Sequence, residues 1–315
     1  MATLLQKSFI SFIFLIFPCF VGMLAIAAML APPYGALVVA ALFVHSNFFD
    51  RAAYNGKGRV FRFLRTSWLW EYARLYFPHT LHQEEELDAS KPHFFIAHPH
   101  GIIGMSVWMS FGGDSIHISR KNKDMDIALA TVGINFRMPL WKDLLLGLGF
   151  VDASFSSMSN VLRRGRSACL VVGGAQEALE SYPGSNRLVL NRRKGFVRLA
   201  LQQGVPLVPV YTFGETDLYT QLANPIGSIL RAVQEKLMKK FTFSMPILTS
   251  GPLPKATKLH TVIGAPVPVP RREVPTQAEI DEYHAKYITA VTALFEKHQA
   301  AFYDGKAGSE LKIVL

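Results

Sequence analysis

The sequence predicts an α/β domain, a mixed sheet flanked by helices, preceded by a transmembrane helical hairpin. Three observations carry this. The N-terminal region is apolar and uncharged, short apolar runs alternate with helical stretches from residue 93 onward, and a long final helix opens with its own cap. Of the 315 residues 50% are apolar, and mean hydropathy is +0.21. That is high for a soluble enzyme and low for a chain built only of spans, so the lipid-seeking part is concentrated somewhere. The length allows one sizeable core and an anchor besides.

Residues 8–49 hold no Asp, Glu, Lys or Arg. A bilayer core takes ~20 apolar residues to cross, so this run is about twice one span. "APPYG" at 31–35 interrupts it with turn-forming residues. The pattern predicts a helix over 8–30, a tight turn, and a shorter segment over 36–49 that crosses or only re-enters. Lys7 precedes the run, while Arg51, Lys57, Arg59, Arg62 and Arg65 follow it, which places both ends in the cytosol. A cleaved leader is disfavoured, because the run is far longer than a leader's apolar region. The chain thus divides into a hairpin at 1–50, a basic and aromatic membrane-interface helix and loop at 51–92, and the main domain at 93–315.

Net charge is +10, from 33 basic against 23 acidic residues. With a membrane hairpin present, anionic lipid or an anionic soluble substrate suits this charge better than nucleic acid. Cys19 falls in the first apolar segment and Cys169 in an apolar strand, which excludes a disulfide framework. Between 58 and 78, Arg59, Arg62 and Arg65 recur at helical spacing among Phe61, Leu64, Trp68 and Trp70. Two readings fit: a helix in the headgroup layer with arginines toward phosphates, or an amphipathic helix packed on the core. "HQEEELD" at 82–88 reads as a solvated loop.

Strand candidates are "HFFIA", "IALA", "GFVD", "ACLVVGG", "LVPVY" and "HTVIGAP". Several are continuous apolar runs, as expected of strands covered on both faces. Helices are expected near 101–111, 139–147, 156–163, 195–203 and 227–239. The last helix begins at a capping box, Thr276 with Glu279, and runs to about Phe302. Ile280, Tyr283, Tyr287, Val291, Leu294 and Phe295 form its core-facing stripe, and the tail beyond is expected to be loosely ordered.

Three stretches could carry chemistry. In "AHPHGIIG" a strand ends at Ala97 and Gly101 turns the chain toward a helix, with His98 and His100 between. Side chains at the carboxyl end of such a strand face the ligand crevice. There a histidine can take a proton near neutral pH, hold the fold, or bind a metal; no further cluster with metal-ligand spacing follows. In "VVGGAQEAL" the turn at Gly173 and Gly174 opens a helix whose N–H groups could face an oxyanion, with Glu177 in its first turn. In "NRRKGFVR" Arg192, Arg193, Lys194 and Arg198 gather at a helix start, either a solvated basic turn or a phosphate site. Catalytic triads, P-loops and dinucleotide fingerprints are not evident.

With these pieces assembled, the chain resembles the type-2 diacylglycerol acyltransferase family, which includes monoacylglycerol acyltransferases. "YFP" (76–78), "HPHG" (98–101), "NFRMP" (135–139) and "GGAQEAL" (173–179) match its blocks. So does the signature running through Arg193, Gly195, Phe196, Arg198, Ala200, Gly204, Leu207, Val208, Pro209, Phe213, Gly214 and Glu215, and "PTQAEIDEYHAKY" is similar to its closing helix. The resemblance implies a glycerolipid-acyltransferase-like fold over 93–315. It implies acyl transfer from acyl-CoA to the hydroxyl of diacylglycerol, at the endoplasmic reticulum membrane and lipid droplets. Monoacylglycerol or a fatty alcohol is the alternative acceptor, and a non-enzymatic lipid-binding hairpin protein is the rival class. Related glycerophosphate acyltransferases carry H-x-x-x-x-D, whose Asp orients the histidine. Here Met105 (counting from His100) or Ile103 (from His98) takes that place.

On this likeness His100 is the general base and His98 orients it. Glu177 is the candidate replacement for the missing carboxylate. Gly173, Gly174 and Gly101 serve the oxyanion or its loop, and Arg192, Arg193, Lys194 and Arg198 hold the phosphates of the co-substrate acyl-CoA. The scheme calls for no metal or prosthetic group. Membrane lipids are expected partners, and assembly into a homo-oligomer is left open.

Overall fold

The computed structural model describes residues 3–11, 17–31, 34–123, 125–241, 244–303 and 310–314. Its strands are β1 (His79–Gln83), β2 (Phe94–His98), β3 (Ile127–Thr131), β4 (Phe150–Asp152), β5 (Ser167–Val171), β6 (Arg187–Val189), β7 (Leu207–Phe213), β8 (Leu259–Ile263) and β9 (Lys312–Val314). Seven of them form one sheet in the order β1-β8-β7-β2-β5-β3-β4. Neighbours run parallel except β7 with β8, so the mixed sheet expected from the sequence is present. Every residue of β2 and β7 is buried, which is why these strands are continuous apolar runs. Within β2, successive side chains go to opposite faces. Phe95 and Ala97 join one apolar cluster with Trp70, Phe111 and Phe150; Phe94 and Ile96 join another with Phe196, Tyr287 and Phe295.

The helices are α1 (Leu4–Ser11), α2 (Phe17–Leu30), α3 (Gly35–Val44), α4 (Arg62–Arg65), α5 (Leu69–Tyr76), α6 (Met105–Val107), α7 (Ile118–Lys121), α8 (Trp141–Gly147), α9 (Phe155–Arg163), α10 (Gly174–Ala178), α11 (Gly195–Gln203), α12 (Ile229–Phe241) and α13 (Gln277–Phe302). The Thr276–Glu279 capping box is formed. Along α13 Ile280, Tyr287, Val291, Leu294 and Phe295 are buried together with His284, while Tyr283 is half-buried with Lys286 over its ring.

At the N-terminus α2 packs against α3, and a π-helical turn at His45–Phe49 follows. Among the described residues no helix is long and apolar enough to cross a membrane. The part of the expected first helix over 12–16, and residues 32–33 of the expected turn, lie outside the described residues. Lys142 ties the following chain to the domain: its buried ammonium donates to the carbonyls of Ser46 and Asp50.

Other elements differ from expectation for identifiable reasons. The helix sought between 58 and 78 is two short helices, α4 and α5, and its arginines do not share a face. Arg59 is drawn to Asp50 (2.5 Å) and Asp143 (2.7 Å), and Arg65 is buried against the Phe111 carbonyl. The loop sought at 82–88 begins as the end of β1, an edge strand paired with β8. Glu84 in that loop binds Lys297 and His298 on α13. The helix sought from Gly101 starts only at Met105, because Gly101 and Gly104 turn at positive φ (59° and 67°). The tail contributes β9, which pairs in parallel with β6 as a second small sheet.

Candidate active site

β2 lies between β7 and β5, with Ala97 in register with Val171 on one side and Val210 on the other. The turn that follows β2 therefore sits between the ends of β5 and β7, and each of those strands leads into a buried glutamate that grips it. Beyond β5, Glu177 accepts the backbone N–H of His100 at 3.1 Å on Oε2 and that of Val189 at 3.3 Å on Oε1. Beyond β7, Glu215 accepts Met105 N–H at 2.9 Å on Oε1 and Ser106 N–H at 2.8 Å on Oε2. Burial pushes both carboxyls up to about 7, against the pull of those N–H groups. Two glycines make room. A Cβ at Gly173 would lie 1.6 Å from Glu177 Oε2, and one at Gly101 would lie 2.6 Å from Glu215 Oε1.

The two histidines take separate partners. His98 is buried, with Nε2 3.0 Å from the Tyr287 hydroxyl. That hydroxyl spends its one proton on the Ile96 carbonyl at 3.2 Å, so the imidazole must donate through Nε2–H. Its Nδ1 is then a buried acceptor without a partner among the described residues. Burial lowers the His98 pKa to about 3, and the ring is neutral.

His100 is half-buried. Its Nδ1 lies 3.1 Å from the Gly101 carbonyl. A carbonyl only accepts, so Nδ1 carries the proton and Nε2 keeps its lone pair. Burial lowers this pKa too, with the Gly101 bond acting the other way.

A cavity of about 350 Å³ opens on the neighbouring flank of the sheet. Its walls are apolar, with Phe155, Leu170, Val172 and Phe196 among them, and Arg192, Arg193 and Lys194 stand at its edge. Arg193 donates to Gln176 Oε1 at 3.4 Å, and Lys194 pairs with Asp281 at 2.6 Å. Arg198 is exposed one turn farther along α11 and does not line the cavity. Gly173 and Gly174 follow the wall residue Val172 and open the five-residue α10. His100 is not part of the cavity lining; α10 joins the two, through Gln176 to Arg193 and through Glu177 to the His100 backbone. Among the described residues no three His, Cys, Asp or Glu side chains gather as metal ligands.

A sequence profile described as diacylglycerol acyltransferase matches residues 31–312. The chain belongs to the diacylglycerol acyltransferase family. Its similarity to diacylglycerol O-acyltransferase 2 of Dictyostelium discoideum is 38% identity over 276 residues, 84% of this chain and 83% of that one. Against the Bos taurus protein of the same name it is 38% over 257 residues, 78% and 71% of the two chains. Among solved structures, the 1-acyl-sn-glycerophosphate acyltransferase PlsC of Thermotoga maritima matches at 13% identity and TM-score 0.44, covering 97% of each chain. By its family and these relatives the chain is an acyltransferase, and its HPHG stretch, residues 98–101, forms the gripped turn.

Two residues of this candidate site are not marked as functional by sequence pattern alone. Tyr287 was visible only as part of an apolar stripe. Glu215 closes the signature-like run that begins at Arg193, and its position there does not by itself reveal a role. A signal for it is present in the sequence: like Glu177, it is a carboxylate that follows a glycine after a largely apolar, buried strand.

Proposed function

We propose that this chain transfers a fatty acyl group from acyl-CoA to the free hydroxyl of diacylglycerol, giving triacylglycerol, with the Nε2 lone pair of His100 as general base. Family membership supports the reaction class, and the His100 tautomer imposed by the Gly101 carbonyl supports the base. The acceptor oxygen attacks the thioester carbonyl carbon as its proton passes to Nε2. The C–S bond then breaks, and the proton leaves with the CoA thiolate. A depressed pKa keeps the imidazole unprotonated at neutral pH, ready to accept. Where related enzymes use an aspartate on the ring, here a backbone carbonyl orients it, and Glu177 orients the peptide to which the ring is attached. His98 supports the strand end through Tyr287.

Arg192, Arg193 and Lys194 offer charge for the phosphates of CoA at the edge of an apolar cavity suited to the chain next to the thioester. Gly173 and Gly174 place N–H groups beside it for the developing oxyanion. The α2–α3 pair exposes Met23, Ile26, Met29, Leu37, Val38 and Phe43, which supports entry into the bilayer that dissolves both acceptor and product. On the family likeness that bilayer is the endoplasmic reticulum membrane, with lipid droplets beside it and the catalytic domain facing the cytosol.

The test uses purified full-length protein with labelled acyl-CoA and, in separate reactions, diacylglycerol, monoacylglycerol and a fatty alcohol. Triacylglycerol as the dominant product supports the reading. Wax ester or diacylglycerol as the dominant product reassigns the acceptor, and no acyl transfer to any of them refutes it.

A further inference from the structure

The end of the chain returns to the residues that grip the HPHG turn. Among the described residues β9 is the one strand partner of β6. Lys312 N–H donates to the Asn186 carbonyl at 2.8 Å, and Leu190 N–H donates to the Val314 carbonyl at 3.2 Å. Leu311 is 8% exposed, and with Ile313 it packs in the apolar cluster that holds Leu188, Leu190 and Phe196.

Successive peptides of a strand turn their N–H groups to opposite edges. In this segment Asn186 and Leu190 face β9. Val189 N–H therefore points the other way, to Glu177 Oε1 at 3.3 Å. The second oxygen of that buried carboxyl holds the His100 N–H at 3.1 Å. A short path thus runs from the tail to the histidine: β9 to β6, Val189 to Glu177, Glu177 to His100. The ends of the segment have ties of their own. The hydroxyls of Tyr211 and Tyr303 donate to Asn186 Oδ1 at 3.0 and 2.7 Å, and His284 Nε2–H donates to the Leu190 carbonyl at 3.0 Å. These ties keep β6 in place without β9, but they leave the direction of the Val189 N–H to the pairing with β9.

We propose that the C-terminal strand β9 is a positioning element for acyl transfer: paired with β6, it keeps the Val189 N–H on Glu177 and so fixes the peptide that carries His100. The inference rests on His100 as the general base and names the part of the chain that holds it in place. Its loss should lower turnover without unfolding the domain, because the sheet and α13 do not depend on β9.

Two full-length variants test this. Lys312→Pro removes the N–H that binds Asn186 and cannot join the ladder. Leu311→Asp puts a carboxylate where an apolar side chain is buried and drives the tail into water. Each should lower kcat about tenfold, the order of one lost hydrogen bond, with the KM for diacylglycerol unchanged. Amide hydrogen exchange on the same preparations supplies the readout that a merely structural role would not move. Exchange should quicken at Val189 and His100 and stay at the wild-type rate in β1 and β8. Exchange that rises evenly across the sheet overturns the inference, and so does wild-type exchange at His100 in both variants. Wild-type kcat in both variants overturns it as well. Failure of the underlying reading looks different: His100→Ala itself would then turn over like wild type.

Discussion

The end of β2 and the turn after it carry one histidine each, two residues apart, in opposite settings. His98 is sealed against α13, spends Nε2–H on Tyr287 and has a pKa near 3. His100 is half-buried and spends its Nδ1 proton on a backbone carbonyl, leaving Nε2 uncommitted. Residue type alone does not separate them; what each ring nitrogen touches does. One ring holds the strand, and the other has a lone pair available for chemistry.

The sharpest way to break this contrast is at His100. His100→Ala should lower kcat about 10²–10⁴-fold, the usual worth of a general base, with an unchanged melting midpoint. Product assay and thermal denaturation of one preparation check both halves. Next comes the grip on the turn. Glu215→Gln keeps one acceptor oxygen but replaces the other with an NH2 that cannot accept, so a buried N–H loses its partner and stability should fall by about 1–3 kcal/mol. The same variant should alter the pH dependence. The folded carboxyl keeps its proton up to about 7, against an ordinary value of 4.5, so the folded state binds the extra proton between those values. Stability from this source is complete below about 4.5 and is lost as pH rises to about 7. Denaturant titrations across that window should therefore show a shallower decline in Glu215→Gln than in wild type.

On the other side of the contrast, Tyr287→Phe leaves the His98 Nε2–H unpaired and should also cost about 1–3 kcal/mol, while kcat per folded molecule stays near wild type. A large kcat loss at full stability would move His98 into the chemistry. The smallest effect belongs to the cavity edge. Arg193→Ala should raise the KM for acyl-CoA about threefold to tenfold, as expected for one charge-assisted contact at an exposed site, and leave the KM for the acceptor unchanged.

Much of this was legible in the sequence because burial on both faces leaves continuous apolar runs. The six strands quoted from the sequence all formed, and so did the α13 capping box. The HPHG turn was legible through its glycine and its place after a strand. Three strands were not: β1 is mostly polar, β6 and β9 are only three residues each, and all three are held by partners distant in sequence. The arginine stripe misled for the same reason, since helical spacing says nothing of Asp50, Asp143 or the Phe111 carbonyl, which decide where Arg59 and Arg65 go. Glu177 was singled out as the group that orients the base, but it binds His100 through the backbone, and the carbonyl of Gly101 takes the ring. Only folding brings β5 and β7 to either side of β2, so the paired grip of Glu177 and Glu215 could not be seen in one dimension.

The most direct measurement is chemical rescue of acyl transfer in purified His100→Ala and His98→Ala by added imidazole. Turnover restored toward wild type in His100→Ala, with His98→Ala unaffected by the additive, is the predicted result. A His100→Ala protein that turns over near the wild-type rate with no imidazole present would contradict the account.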